Sequence, residues 1–147
     1  TREYDPLPSV ATLSNAMDVG SPSNFVRILE LFHNDIDRLD ETLSAASIDD
    51  RLTAETMLEV YQETGYILDP HGAVGYRCLA DYIEKQPEDC GLFLETAHPV
   101  KFDSVSEIIG RKVDVPPSLA YLASREKQSI EVQNKYTEIK EILLNRL

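Results

Sequence analysis

The apolar positions of this 147-residue chain recur mostly at helical spacing. Phe25, Ile28, Leu29 and Phe32 follow Ser21-Pro22, a capping hydroxyl beside a proline suited to the first helical position, and predict a helix that buries one face. Ile36, Leu39 and Leu43 predict a second helix from Asp35 to Ala45, with acidic residues opposite and a break at Ser47–Asp50. Thr53 is the predicted cap of a third, with Met57, Leu58, Val60 and Tyr61 inward and Gly65 as its stop. Asp69-Pro70 repeats the cap-plus-proline signal and opens a fourth through Ala73, Tyr76, Leu79, Ala80 and Ile83. Ser104 opens a short helix with Val105, Ile108 and Ile109, ended by Gly110, and Pro116-Pro117 forms a rigid turn. Val132, Tyr136, Ile139 and Leu143 trace one stripe of a long charged helix from Ser124 to Leu147, in which Glu131 and Lys135 form a favourable pair.

One stretch breaks this period. Leu92, Phe93 and Leu94 form an apolar run after Gly91 and predict a short strand buried on both faces, of the kind found in parallel sheets. Thr96 and His98 follow at its end, then Pro99, which can open a helix. Strand, polar turn and helix start together describe the C-terminal edge of an open α/β sheet, where ligands bind. Only Val10–Leu13 and Tyr66–Leu68 are available as neighbouring strands. A central strand with so few neighbours leaves buried backbone groups unpaired, at about 1–3 kcal/mol each. Further strands are therefore predicted in sequence beyond this chain, the alternative being that Leu92–Leu94 is an edge.

The length fits one domain, and 42% apolar residues suffice for a core. The net charge of −12 opposes attraction to nucleic acid or anionic membrane, so an anionic small substrate needs a local basic pocket. No apolar run approaches a membrane span and no targeting pattern opens the chain, which predicts a cytoplasmic protein. The chain starts at Thr1, with Tyr4-Asp-Pro-Leu-Pro8 extended, as a piece of something longer would. Cys78 and Cys90 lack metal spacing and are expected to be buried thiols. His71 is expected to belong to a helix cap and His33 to face solvent. No glycine-rich dinucleotide fingerprint, P-loop or serine elbow is present.

Three ordered segments carry a resemblance. Thr12-Leu-Ser-Asn-Ala-Met-Asp-Val-Gly-Ser-Pro-Ser-Asn-Phe25 with Arg27, Gly65-Tyr-Ile-Leu-Asp-Pro-His-Gly-Ala-Val-Gly-Tyr76, and Phe93-Leu-Glu-Thr-Ala-His-Pro-Val-Lys-Phe102 resemble blocks of threonine synthases. The resemblance covers about residues 10 to 110 and implies the C-terminal part of such an enzyme. It implies an α/β fold type II pyridoxal phosphate (PLP) domain, similar to the tryptophan synthase β chain, mostly helical here with a few short parallel strands. It further implies conversion of O-phospho-L-homoserine and water to L-threonine and phosphate. The lysine that tethers PLP and the loop that cradles its phosphate belong to upstream sequence in that family, so the catalytic lysine is not in this chain. The N-terminal remainder of the same enzyme is thus an implied partner, and this chain alone is expected to be inactive.

By the same resemblance Thr96, Ala97 and His98 are cofactor-binding, with the Thr96 hydroxyl meeting the pyridine nitrogen. The residues alone also allow Thr96 to cap the helix opened by Pro99. Ser23, Asn24 and Arg27 are candidates for holding the substrate phosphate, against a plain role as cap and surface ion pair. His98 and Lys101 are candidates for lining the same mouth. No metal site is expected. A reading from another class is a non-catalytic, acidic helical interaction domain.

Overall fold

A computed structural model describes residues 5–122 and 124–145. Regular structure among these residues is helical throughout: α1 (Phe25–Leu31), α2 (Ile36–Thr42), α3 (Asp50–Thr64), α4 (Pro70–Lys85), α5 (Asp103–Ile109) and α6 (Tyr136–Leu144), with 3-10 turns at Pro99–Lys101 and Pro117–Leu122. The chain divides into two compact units, Thr1–Asp114 and Val115–Leu147.

In the first unit α3 packs against both α4 and α5. Their inward residues, Met57 and Val60 from α3, Ala73 from α4, and Val105 and Ile109 from α5, form the core with Leu68, Phe102 and Val113. Of the stripes the sequence spacing predicts, Met57, Val60 and Tyr61 of α3, Ala73 and Tyr76 of α4 and Val105, Ile108 and Ile109 of α5 lie in or against this core. Leu58, Leu79, Ala80 and Ile83 stay outside it, and Ala80 is exposed. Asp49, not Thr53, caps α3, its side chain accepting from the Leu52 amide at 2.7 Å. Thr53 lies inside the helix instead, where its hydroxyl and that of Thr56 donate to the carbonyls four residues back at 2.8 Å, so both can be buried. Gly65 ends α3 with φ 74°, a conformation in which a side chain would be strained. Asp69 and Pro70 open α4 as predicted, and α5 begins at Asp103, one residue before the predicted Ser104, and ends at Gly110.

The N-terminal segments correct two expectations. α1 starts at Phe25 with Asn24 at the cap position, three residues beyond the predicted Ser21-Pro22 opening, because the Pro22 carbonyl closes a turn with the Phe25 amide. α2 stops at Thr42, short of Ala45. In the second unit the long helix predicted from Ser124 is confined to α6. Lys135 stands at its cap position without a side-chain capping bond, so Glu131 and Lys135 share no helix turn, and residues 128–133 are irregular. Arg146 and Leu147, at the end of that predicted helix, lie outside the described residues.

None of the three predicted strands, Val10–Leu13, Tyr66–Leu68 and Leu92–Leu94, is a ladder-forming strand among the described residues. Leu92 and Leu94 are 95% and 77% exposed, which overturns burial on both faces. The reason lies in α4. After a turn at Gln86–Asp89, fixed by the Tyr82 hydroxyl donating to Asp89 at 2.7 Å, the chain runs back along that helix. Gly91 abuts Leu79, Phe93 stacks edge-on against Tyr76 at 5.5 Å, and Glu95 reaches Gly72. Alternate residues of an extended segment thus meet successive turns of one helix face, and the leucines between them point outward.

Candidate functional site

The segment that runs along α4 delivers Glu95, Thr96, Ala97 and His98 to the start of that helix. Asp69, fully buried, caps α4 by accepting from the His71 amide at 2.8 Å, while its own amide donates to Oε1 of Glu95 at 2.9 Å. The Glu95 carboxyl lies directly against Gly72, where any side chain would collide with it. Burial, a proton shared with the Asp69 carboxyl and that neighbour's charge push the Glu95 carboxyl up to about 7, against the opposing pull of the Asp69 amide. The second oxygens of both carboxyls, Oδ2 and Oε2, are buried without another partner. Sequence reasoning gave no role to Glu95; the signal was an acidic residue inside an otherwise apolar stretch.

His98 corrects one reading of Thr96. Its Nδ1 accepts from the Val100 amide at 3.1 Å and caps the Pro99–Lys101 turn, which is a single 3-10 turn and not the start of an α-helix. The exposed Thr96 hydroxyl is therefore not the cap and stands at the surface.

Two clefts of the first unit meet at this point. One, of about 610 Å³, is lined by Ser23 and Asn24, by Thr96 and Ala97, and by His71 and Lys101. The other, of about 720 Å³, is lined by Tyr66, Ile67, Glu95 and His98 and shares Thr96, Ala97 and Lys101 with the first. The structure thus brings together Ser23, Asn24, Thr96 and Ala97 across more than seventy residues of sequence. Arg27 is exposed on α1 and lines neither cleft, and His98 opens onto the second cleft only. Asn24 makes no side-chain capping bond, so its amide is available to the cleft.

His71 is the residue that sequence reasoning undervalued. Its backbone belongs to the α4 cap as expected, but its ring lies 5.6 Å from Phe102 and its Nε2 is buried without a partner beside the Ser23–Thr96 cleft. Of the two cysteines expected to be buried, Cys90 is exposed and Cys78 half-buried, because Cys90 lies where the chain leaves the α4 turn; both are free thiols. Among the described residues no group of three or more His, Cys, Asp or Glu is placed to hold a metal, and no helix is long and apolar enough to cross a membrane.

A family model described as "Threonine synthase, C-terminal" matches residues 72–143. Threonine synthase of Escherichia coli is 42% identical over 144 residues, 97% of this chain. Along almost its whole length the chain is similar to the C-terminal part of threonine synthases. It spans about a third of the length of the curated threonine synthases it matches, 33% of the Escherichia coli protein. The crystal structure of Escherichia coli threonine synthase superposes with a TM-score of 0.83 at 41% identity, covering 99% of this chain and 33% of that one. The PLP-bound threonine synthase of Brucella melitensis, 24% identical, shares the fold with a TM-score of 0.61 over 97% of this chain and 36% of its own. These likenesses to threonine synthases lend no support to an acidic interaction domain.

Proposed function

We propose that this chain forms one wall of the active site of a PLP-dependent threonine synthase, a lyase that converts O-phospho-L-homoserine and water to L-threonine and phosphate. The observation that carries the proposal is the cleft in which Ser23 and Asn24 face Thr96 and Ala97. The preceding part of the same polypeptide supplies the lysine that tethers the cofactor, its phosphate loop and the parallel strands of an α/β fold type II domain. Leu92 and Leu94, exposed on an extended segment, support that reading, since an apolar run of this kind suits a sheet. The reaction belongs in the cytoplasm, with amino-acid biosynthesis.

The residues present fit the cofactor. Thr96 is exposed at the junction of two clefts with its capping task taken over by His98, and Ala97 beside it is small enough to admit a flat ring. PLP supplies an electron-withdrawing ring that stores negative charge from the substrate carbons. With PLP bound, the Thr96 hydroxyl would donate to the pyridine nitrogen and leave it unprotonated, which would moderate the ring's pull, and Ala97 and His98 would border the ring. Ser23 and Asn24, just before α1, hold the substrate phosphate by hydrogen bonds, and Arg27, on α1, adds its charge at longer range. Lys101, at the mouth of both clefts, draws in the anionic substrate despite the net negative chain.

The direct test is genetic. The full-length protein containing this chain should restore growth without threonine to a bacterium that lacks threonine synthase. Failure of a well-expressed protein to do so would reject the proposal.

A further inference from the structure

We propose that Glu95 is the positioning residue of Thr96: seated in the Gly72 notch and bound to the Asp69 amide, it fixes the chain so that the Thr96 hydroxyl stands at the junction of the two clefts. The inference rests on the reading of Thr96 as the cofactor-facing residue. Four observations carry it. Glu95 is the immediate neighbour of Thr96 on a segment that no backbone ladder holds among the described residues. Its Oε1 accepts from the Asp69 amide at 2.9 Å, the one polar bond that ties residues 91–97 to the start of α4. Position 72 accepts only glycine while the carboxyl occupies its place, so the notch is shaped to this side chain. Asp69 is itself buried and fixed by the His71 amide, which makes the anchor point rigid.

With Oε1 bonded to the Asp69 amide and Oε2 packed in the Gly72 notch, the side chain is restrained, and the next residue inherits its orientation. Loss of that hold leaves Thr96 restrained only by its neighbours' apolar packing, Phe93 on Tyr76 before it and Ala97 against the core after it. The hydroxyl then wanders by an ångström or more, and misplacement of that order lowers turnover roughly 10- to 100-fold.

The test uses the full-length enzyme with PLP and five variants. Glu95→Ala and Gly72→Ala, which respectively remove and displace the carboxyl, should each change the cofactor absorbance in the way Thr96→Ala does and lower kcat roughly 10- to 100-fold with little change in KM. Glu95→Gln, whose carbonyl can accept from the Asp69 amide and whose NH₂ can donate to its carboxyl, should restore the absorbance. The double variant Glu95→Ala/Thr96→Ala should be no slower than Thr96→Ala alone, because the two act through one group. Additive losses, or a normal spectrum in the folded Glu95→Ala and Gly72→Ala enzymes, would overturn the inference while leaving the role of Thr96 intact. A Thr96→Ala enzyme with normal spectrum and rate would overturn both. Should Glu95→Ala fail to fold, Gly72→Ala and Glu95→Gln decide the matter by the same readings.

Discussion

The backbone amide of Asp69 donates to Oε1 of Glu95 at 2.9 Å, joining the start of α4 to a residue 26 positions later. That bond fastens the segment carrying Thr96 to the buried start of α4, and it places the Glu95 carboxyl beside that of Asp69.

Stability should therefore depend on pH through Glu95. Its carboxyl keeps a proton to about 7 in the folded chain but releases it near 4.5 when unfolded. The folded state binds more protons in that window, so the contribution is complete below about 4.5, falls as pH rises, and is gone above about 7. Asp69, His71, His98, Lys101 and Asp114 surround the same clefts, so the comparison that isolates Glu95 is with Glu95→Gln. Thermal melts from about pH 5 to 7.5 should show the wild-type midpoint falling more steeply than that of Glu95→Gln. Parallel curves would contradict it.

The core makes a second prediction. Met57 is fully buried where α3 meets its neighbours, so Met57→Ala should cost about 2–5 kcal/mol of stability by leaving a cavity. Denaturant titration measures the loss, and a change below about 1 kcal/mol would show that the three helices can close the gap.

If Thr96 meets the pyridine nitrogen as proposed, Thr96→Asp should place a charge where a neutral hydroxyl stood. The expected outcome is altered cofactor absorbance together with slower turnover in the full-length enzyme, and an unchanged spectrum at normal rates would reject the assignment.

Substrate binding divides by geometry. Ser23→Ala and Asn24→Ala remove groups that line the cleft and should each raise KM for O-phospho-L-homoserine roughly 10-fold, the worth of a hydrogen bond to a charged group. Arg27→Ala, exposed and outside both clefts, should weaken binding by a smaller factor that vanishes at high salt. Equal losses from all three would mean that Arg27 reaches the phosphate directly.

The helices that form the core were legible because their signals are local. The Asp69-Pro70 opening of α4, its apolar stripe and the glycine stops of α3 and α5 depend on residues within a few positions of one another. The Leu92–Leu94 run misled, since periodicity cannot reveal that Gly91, Phe93 and Glu95 find a helix face while the intervening leucines stay exposed. The long helix from Ser124 failed for a related reason: a stripe of four apolar residues fits a helix, but exposed Val132 and Ile130 gain too little burial to hold one before Lys135. Of the site, the motif residues were visible by resemblance. The meeting of Ser23 and Asn24 with Thr96, and the places of His71 and Glu95, required the packing of segments far apart in sequence.

The most direct measurement is phosphate release. Purified full-length protein containing this chain, given PLP and O-phospho-L-homoserine, should liberate inorganic phosphate and form threonine in equal amounts, and Thr96→Asp should slow both together. Absence of phosphate release by folded, PLP-loaded wild-type protein would contradict the account.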